Sequence, residues 1–313
     1  MAASCKSDRL IDALPDLRGR ITENAPLSKL TWFRVGGGAE ILFRPADLDD
    51  LATLMANLPA GIALTVIGVG SNILVRDGGI AGVVVRLGDG FNHISVDGET
   101  ITAGAGASNL KIAGAARDAG LTGFEFLSGI PGSLGGSLAM NAGAFGAEMA
   151  DITGAVDAMG ADGPCRLGLE DMGFSYRHSG ADETLIFVAA QLKGTPGDKD
   201  AIARRMRDIQ EERGISQPLK TPTGGSTFVN PVGHKAWQLI ERAGCRGLKR
   251  GGAMVSEKHC NFLINTGSAT AADLEGLGED VRRRVIAETG ISLQWEIRIL
   301  GTATPAPLLE ASP

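Results

Sequence analysis

The chain has 313 residues, of which 45 are glycine and only 4% are aromatic, so we expect two or three domains with cores of Ala, Val, Ile and Leu. The glycines follow no fixed period, which excludes a collagen-like fibre. The net charge is -6, and Lys and Arg are spread along the chain, which argues against a nucleic-acid partner.

Neither a metal site nor a membrane segment is indicated. The four cysteines, Cys5, Cys165, Cys245 and Cys260, have no CxxC spacing and do not cluster with histidines, so we expect reduced thiols and no metal. No apolar run is long enough to span a bilayer, and the N-terminal MAASCKSDRLIDALPDL lacks the apolar run of a signal peptide. We therefore expect a cytoplasmic protein.

The segment from about Leu30 to Leu87 predicts a small α/β unit. AEILFR, ALTVIG and GVVVRLG are typical of strands. ADLDDLATLMANL has acidic residues in its first turn and apolar residues at helical spacing, which predicts a helix.

The middle of the chain begins with the strand ITAGAGA and a helix that starts near Ser108, SNLKIAGAARDAGL. The glycine-rich FEFLSGIPGSLGGSLAMNAGAFG follows, and GAVDAMG and TLIFVAAQL indicate further strands. The charged, amphipathic DAIARRMRDIQEERG closes this region as a helix.

The last region contains the predicted helices AWQLIERAG and AADLEGLGEDVRRRVIAETG, and Thr270 with Asp273 predicts a capping box for the second. NFLINTG and LQWEIRIL are its clearest strands, and in LQWEIRIL the alternation puts Glu296 and Arg298 on one face. The Pro- and Ala-rich tail after Gly301 is predicted to be disordered.

Two glycine clusters can bring main chain close to a ligand. IGVGSNILVRDGG lacks the third glycine of a dinucleotide fingerprint, and its residues Leu74 to Gly78 predict a strand and a turn where a Rossmann loop needs a helix. This excludes a Rossmann loop. A nest of N–H groups from Gly68 to Asn72 could still hold a pyrophosphate. LSGIPGSLGG lacks the Gly-Lys-Ser/Thr of a P-loop. It suits a flat or anionic ligand before a helix start near Pro131 to Ser133, with a tight turn as the alternative.

Several polar residues suit chemistry, each with a simpler alternative. Arg177 in FSYRHSG suits a carboxylate, or is a surface charge. Ser226 in TPTGGSTFVNP can protonate a strongly basic carbanion, or only forms a turn. Glu296 suits a site carboxylate, or is a solvated charge on a strand. Lys258 and His259 suit phosphate binding, or lie in a solvated turn.

In order along the chain, these motifs are TWFRVGG, GVGSNILV, EFLSGIPGSLGGSLAMNAGAFG, FSYRHS, GGSTFVNP, AWQLIERAG, GGAMVSEKHCNFLIN and QWEIRILG. This order, over about Leu30 to Gly301, resembles the UDP-N-acetylenolpyruvoylglucosamine reductase (MurB) family. The resemblance implies an α+β fold: a two-part FAD-binding domain of the vanillyl-alcohol-oxidase (PCMH) type plus a C-terminal α/β substrate domain.

The resemblance divides the chain into five parts. We expect a flexible N-terminus at 1–20, FAD-binding subdomains at 21–90 and 91–213, a UDP-sugar domain at 214–301 and a disordered tail at 302–313. The only tyrosine, Tyr176, lies inside the arginine motif, so the chain resembles the shorter form of the family, which lacks a tyrosine-bearing loop over the substrate.

The resemblance also implies FAD, bound tightly without a covalent link, and NADPH as hydride donor. The implied reaction reduces UDP-N-acetylglucosamine enolpyruvate to UDP-N-acetylmuramate in peptidoglycan precursor synthesis, and so serves cell-wall biogenesis, cell shape and cell division. The residues implied to bind the cofactor are Arg34, Gly68, Gly70, Ser71, Asn72, Ser128, Gly129, Ile130, Pro131, Gly132, Gly135, Gly136, Asn141 and Gly143.

By the same resemblance, Arg177, Ser226 and Glu296 are the catalytic residues. The flavin gives hydride to the terminal methylene carbon of the enol ether, Arg177 and Glu296 stabilise the resulting enediolate, and Ser226 protonates the adjacent carbon. For this role Glu296 needs a raised pKa or a pairing with Arg298, because an ionised carboxylate would repel the developing anion.

Substrate binding is assigned to Tyr176, Asn230, Lys258 and Lys220, and a monomer is expected. One alternative is another FAD-dependent dehydrogenase or oxidase of the same superfamily, although such an enzyme has no reason to keep YRHS, GGSTF and WEIR together. The other is a non-catalytic UDP-sugar-binding relative, which would bind the substrate without turnover.

Overall fold

The computed structural model describes residues 10–304. Cys5 and the expectations for residues 1–9 and 305–313 lie outside this range. The described chain divides into two compact units: residues 10–23, 41–69 and 82–217 form the first, and residues 24–40, 70–81 and 218–304 form the second. The five-part division expected from the sequence stays a prediction.

Helices and strands are mixed along residues 10–304, which confirms the α+β class. The strands are β1 (Arg20–Pro26), β2 (Gly38–Arg44), β3 (Leu64–Val66), β4 (Ile73–Val75), β5 (Ile80–Val85), β6 (Ile94–Asp97), β7 (Thr100–Gly104), β8 (Leu121–Thr122), β9 (Gly143–Ala144), β10 (Ala147–Glu148), β11 (Thr153–Gly160), β12 (Gly163–Gly168), β13 (Ile186–Lys193), β14 (Thr195–Pro196), β15 (Thr223–Ser226), β16 (Lys249–Arg250), β17 (Ala253–Val255), β18 (Phe262–Asn265) and β19 (Arg298–Leu300). The α-helices are α1 (Leu48–Asn57), α2 (Asn109–Ala119), α3 (Leu134–Ala139), α4 (Met149–Ile152), α5 (Leu169–Met172), α6 (Lys199–Ser216), α7 (Ala236–Arg242) and α8 (Ala271–Thr289). Short 3-10 helices cover Leu10–Ala13, Leu27–Lys29, Asp89–Phe91 and Glu125–Gly129.

The first unit contains α1 and a sheet with the strand order β1-β2-β5-β3, three strands of which (β1, β2 and β5) continue beyond the residues of this unit. β3 and β5 pair in parallel, with Leu64 opposite Val83. The Asp47 carboxylate caps α1 by accepting a hydrogen bond from the Asp50 N–H. Leu51 of α1 is fully buried in one cluster with Val83, so α1 is held by its apolar face.

A second sheet of the first unit has the order β12-β11-β13-β7-β6, and its neighbouring strands are antiparallel. Alternate residues of β13 are buried, as expected for a strand with one face on the core. α2 begins next to Ser108 as predicted, and the Ser108 hydroxyl caps it by accepting a hydrogen bond from the Lys111 N–H. Ile112 of α2 and Leu192 of β13 belong to the same buried cluster.

The second unit contains a sheet with the order β15-β18-β17-β16 and the parallel pair β19 and β4. The predicted capping box of α8 is confirmed, with reciprocal hydrogen bonds between Thr270 and Asp273. Two oxygens of Asp77 also accept hydrogen bonds from the first N–H groups of α8, those of Ala271 and Ala272. The α8 N-terminus is therefore held by three side chains.

Two strand predictions need correction, and both concern site segments. LQWEIRIL is a strand only from Arg298 to Leu300, because residues 294–296 make irregular contacts with residues 227–229 before the chain turns to pair with β4. Conversely, TPTGGSTF has no strand pattern in the sequence but contains β15, which tertiary pairing with β18 stabilises. The prediction that a strand and not a helix follows the first glycine turn is confirmed by β4.

Candidate functional site

In the first unit, the two glycine-rich segments approach each other at Gly68. A Cβ added to Gly68 would lie 2.8 Å from the Ser133 hydroxyl oxygen, so a larger residue would push the segments apart. Ser133 precedes α3 without capping it through its side chain. This close approach of two main-chain segments fits the binding of a cofactor diphosphate by backbone groups.

The second glycine-rich segment is fixed on the residues that follow β7. The N–H groups of Leu134 and Gly135 donate to the carbonyls of Ala107 and Ala105, both at 2.9 Å, and the Asn109 N–H donates to the Gly132 carbonyl at 3.2 Å. The segment is thereby held in a defined conformation before any ligand binds.

Ser128 and Gly129 lie inside the 3-10 helix Glu125–Gly129, and both are buried. The Ser128 hydroxyl donates to the Glu125 carbonyl at 2.7 Å. A Cβ on Gly129 would lie 2.6 Å from the Phe145 ring, so this glycine is required for packing. For Ser128 and Gly129, the backbone groups are therefore the candidates for binding a cofactor.

Arg177 is held by main chain from the glycine-rich segment. Its guanidinium donates to the Gly143 carbonyl at 2.6 Å and lies 4.9 Å from the centre of the Tyr176 ring. The fully buried Asn141 donates to the Ser175 carbonyl at 3.0 Å and accepts from the Ala150 N–H at 2.9 Å. Residues 141–143 therefore position the arginine motif, a link that no local sequence pattern showed.

In the second unit, the first glycine turn packs on the TWFRVGG segment. Gly70 has φ 74°, and a Cβ there would lie 2.3 Å from the Leu30 carbonyl oxygen, so only glycine fits. The Trp32 N–H donates to the Gly70 carbonyl at 2.9 Å. Arg34, two residues further on, is exposed with φ 59°.

Ser226 and Glu296 come together through the residue that follows the serine. Ser226 ends β15, and the carbonyl of Thr227 accepts a hydrogen bond from the Glu296 N–H at 2.9 Å. The side chain of Asn72 donates to the Glu296 carbonyl at 3.1 Å, and the Asn72 carbonyl accepts from the Arg298 N–H at 3.0 Å. The second unit thus holds the predicted proton donor and the predicted carboxylate on one hydrogen-bonded frame.

Two buried side chains support this frame. The amide of Asn261 makes two hydrogen bonds to the main chain of Phe228, at 2.8 and 3.0 Å. The Trp295 ring lies 5.0 Å from the Phe228 ring, and its N–H donates to Glu279 at 2.9 Å. Burial opposes ionisation of Glu279, but hydrogen bonds from Trp295 and Arg282 outweigh it and lower its pKa.

The predicted substrate-binding residues of this unit lie in different surroundings. Asn230 accepts a hydrogen bond from the Ala236 N–H at 2.9 Å and so also serves the start of α7. Lys220 and Lys258 are exposed. The His259 ring packs 4.8 Å from the Phe262 ring, and burial lowers its pKa, so this side chain is a packed, neutral imidazole.

Metal ligands, thiols and apolar helices were also considered in the sequence, and the described range gives the following findings. Among residues 10–304, no cluster of His, Cys, Asp and Glu could hold a metal ion. Cys165, Cys245 and Cys260 are free thiols. None of the helices in this part of the chain combines the length and apolar character that crossing a bilayer requires.

Comparison with known families gives two matches that together cover most of the chain. Residues 39–166 match a family of FAD binding domains. Residues 217–300 match the C-terminal domain of UDP-N-acetylenolpyruvoylglucosamine reductase. The match to residues 39–166 supports the FAD-binding part of the expected fold.

Individual relatives extend the likeness over nearly the full length. The UDP-N-acetylenolpyruvoylglucosamine reductase of Paramagnetospirillum magneticum is 59% identical over 93% of this chain and 95% of its own. That of Azorhizobium caulinodans is 57% identical over 93% of this chain and 95% of its own. The crystal structure of the enzyme from Thermus caldophilus has a TM-score of 0.79 at 34% identity and covers 91% of this chain and 100% of its own. This chain therefore belongs to the UDP-N-acetylenolpyruvoylglucosamine reductase family.

Proposed function

We propose that the chain reduces UDP-N-acetylglucosamine enolpyruvate to UDP-N-acetylmuramate, with FAD as cofactor and NADPH as hydride donor, in peptidoglycan precursor synthesis. Family membership over more than nine-tenths of the chain supports this reaction. The main chain around Gly68 and Ser133 would hold FAD, which when bound would supply hydride chemistry between NADPH and the methylene carbon of the enol ether. The neighbouring carbon takes a proton, so the two additions convert the enolpyruvyl group into a lactyl ether.

The single observation that carries the catalytic assignment is the bond between Thr227 and Glu296. Because Thr227 follows Ser226 directly, its 2.9 Å hydrogen bond to the Glu296 N–H fixes the serine and the glutamate in one frame. Ser226 donates its proton to the carbon next to the carboxylate, which is a strong base once the hydride has been added. Glu296 stabilises the charge that develops on that carboxylate.

Arg177 binds the substrate carboxylate. Its planar guanidinium matches two carboxylate oxygens, and its bonds to the Gly143 carbonyl and the Tyr176 ring restrict its orientation in advance. Lys220, Asn230 and Lys258 serve the rest of the substrate, whose diphosphate attracts cationic and amide groups. We further propose that the protein acts as a cytoplasmic monomer without nucleic-acid or membrane partners.

The test begins with the visible spectrum of the purified protein, followed by anaerobic reduction with NADPH and addition of the enolpyruvyl substrate. Reoxidation of the flavin with formation of the lactyl ether is the expected result. A bound flavin that this substrate fails to reoxidise would favour another flavoenzyme of the superfamily. Binding of the UDP-sugar without turnover would favour the non-catalytic alternative.

The serine assignment has its own test. Ser226→Ala is expected to slow reoxidation of the reduced flavin by the substrate about 100- to 10,000-fold, the usual contribution of a positioned acid. Reduction of the flavin by NADPH should keep its wild-type rate, because no proton at the substrate carbon is involved. The exposed Ser268→Ala is the matched control and should leave both half-reactions unchanged. Equal slowing of both half-reactions by Ser226→Ala would remove the serine from the proton-transfer step.

A further inference from the structure

Two arginines of the first unit, Arg44 and Arg86, lie side by side, and neither forms an ion pair with another of residues 10–304. Arg44 is the last residue of β2, Arg86 follows the last residue of β5, and the Arg86 N–H donates to the Phe43 carbonyl at 2.9 Å. Both side chains are partly buried. The Nε atom of Arg44 is buried and has no hydrogen-bond partner within residues 10–304.

Within the described part of the chain, no acidic side chain compensates the charge of this pair. Burial lowers the pKa of Arg86, and the neighbouring charge of Arg44 lowers it further. A buried cation normally has an anionic partner, because removing it from water is costly. Other arginines of the unit do have such partners: Arg18 with Asp47, Arg117 with Asp118, and Arg166 with Asp157.

The pair lies at the edge of the sheet where β3 ends, close to the glycine turn that begins at Gly68. β3 and β5 are parallel, so their carboxyl ends lie at the same edge. The N–H of Ile67, the residue before Gly68, donates to the Val85 carbonyl at 2.9 Å, and Arg86 is the residue after Val85. In sheets of parallel strands, ligands bind outside the carboxyl ends.

We infer that Arg44 and Arg86 form an anion-binding site for a phosphate of a nucleotide cofactor. The inference rests on the proposed function, which identifies the cofactors as FAD and NADPH. Two guanidinium groups present donors in a planar fork that matches phosphate oxygens. The proximity to Gly68 favours the diphosphate of FAD, and the 2′-phosphate of NADPH is the other source of the same chemistry. The phosphate supplies the negative charge that residues 10–304 do not place against this pair.

The first arm of the test measures flavin retention in the holoenzyme. Arg44→Gln and Arg86→Gln are each expected to raise the dissociation constant of FAD, measured by equilibrium dialysis, at least about tenfold. They should also lower the temperature at which the protein releases its flavin, which is followed by the rise in flavin fluorescence. Arg44→Lys and Arg86→Lys keep the charge but lose the fork, so they should fall between these variants and the wild type. The exposed Arg207→Gln, in the same unit, should behave as wild type.

The second arm measures the apparent dissociation constants of NADPH and NADH from rates of flavin reduction. A rise for NADPH but not NADH, with normal FAD retention, would assign the pair to the 2′-phosphate. The inference is overturned if the Gln variants match Arg207→Gln in both arms. Circular dichroism melting controls for misfolding, and removal of an unpaired charge should not lower the melting temperature of the unliganded chain. A wild-type protein without FAD or without turnover would instead refute the proposed function.

Discussion

Arg177 has a left-handed backbone conformation, with φ 57°, which costs about 1–3 kcal/mol in a residue other than glycine. Such a conformation persists only where the surroundings impose it. Two hydrogen bonds hold this conformation: the Arg177 guanidinium donates to the Gly143 carbonyl, and the side chain of the buried Asn141 donates to the Ser175 carbonyl. The backbone of the arginine motif is thus fixed by a residue more than 30 positions earlier in the chain.

Asn141→Ala should therefore impair use of the substrate more than use of NADPH. Loss of both amide bonds is expected to raise KM for the enolpyruvyl substrate and to lower stability by about 1–3 kcal/mol. Reduction of the flavin by NADPH should be little changed. Asn57→Ala, which removes an exposed bond to the Thr53 carbonyl, is the matched control. Loss of flavin without a change in KM would instead support the cofactor-binding role expected from the sequence.

His259 predicts a pH dependence of stability. Its pKa in the folded chain is lowered by burial below the ordinary value of 6.5, so the unfolded chain binds more protons as the pH falls. The stability that the neutral His259 side chain contributes is fully present above pH 6.5, and it is lost as the pH falls through the pKa of His259 in the folded state.

Urea unfolding between pH 7.5 and 5 tests this prediction. His259→Gln should flatten the decrease in unfolding free energy over this range, whereas the exposed His93→Gln should keep it. The lowered pKa of Asp273 acts in a separate window, below its ordinary value of 3.8. An unchanged slope in His259→Gln would contradict the assignment.

The predicted catalytic residues were recognisable from their motifs, but the contacts that hold them were not. Ser226 and Glu296 stand in distinct sequence patterns, so each could be named. The bond from the Asn72 side chain to the Glu296 carbonyl joins residues 224 positions apart, and no local pattern encodes it. Asn261 was missed for the same reason, since its function is to bond the main chain of Phe228.

Among the secondary-structure elements, α8 has an unusually well-held N-terminus. Thr270 and Asp273 were predicted as a capping box from their spacing alone. The contribution of Asp77 comes from the turn after β4 and is strengthened by the neighbouring Arg76, whose guanidinium pairs with Glu275 of α8 at 2.7 Å. α8 is therefore tied to a segment that lies far away in sequence.

Asp77→Ala is expected to destabilise the second unit by about 1–2 kcal/mol, because two N–H groups at the start of α8 lose their acceptors. Asp77→Asn keeps one carbonyl oxygen and should lose less. The measurement is urea unfolding followed by circular dichroism, with the exposed Asp162→Ala as control. Equal stability of Asp77→Ala and Asp162→Ala would show that water replaces the cap without cost.

Periodicity located most elements and failed where tertiary pairing decides the conformation. The helices α1, α2, α6, α7 and α8 lie where caps and apolar spacing place them. β15 is short and rich in glycine, so it has no strand signal of its own and depends on β18. In LQWEIRIL, Leu293 and Ile297 are buried and Arg298 is exposed, as the alternation predicts, but Trp295 and Glu296 are both half-buried. The backbone pairs regularly only from Arg298.

For the molecule as a whole, the main feature is that the second unit is assembled from three separate parts of the chain. Its buried cluster combines Phe33 and Leu74, from the two early parts, with Phe228 and Leu277 from the late one. β4 from one early part also pairs with β19. The core of this unit is therefore incomplete without residues 24–40 and 70–81.

A fragment of residues 218–304 is accordingly expected to remain unfolded when expressed alone, although residues 217–300 match a family domain. It lacks Phe33, Leu74 and the Asp77 cap. Circular dichroism and amide-proton dispersion in NMR spectra would test this. Linking residues 24–40 and 70–81 to the fragment should restore cooperative unfolding. A folded fragment without these additions would contradict the expectation.

The same division constrains the order of events during synthesis on the ribosome. Residues 24–40 leave the ribosome early, but their partners in the buried cluster extend to Ile297, close to the end of the described chain. The first unit is complete at residue 217, so it can fold while apolar side chains such as Phe33 still wait for the last third of the protein. A ribosome that stalls in this last third releases a chain with exposed core residues, a natural target for chaperones and proteases.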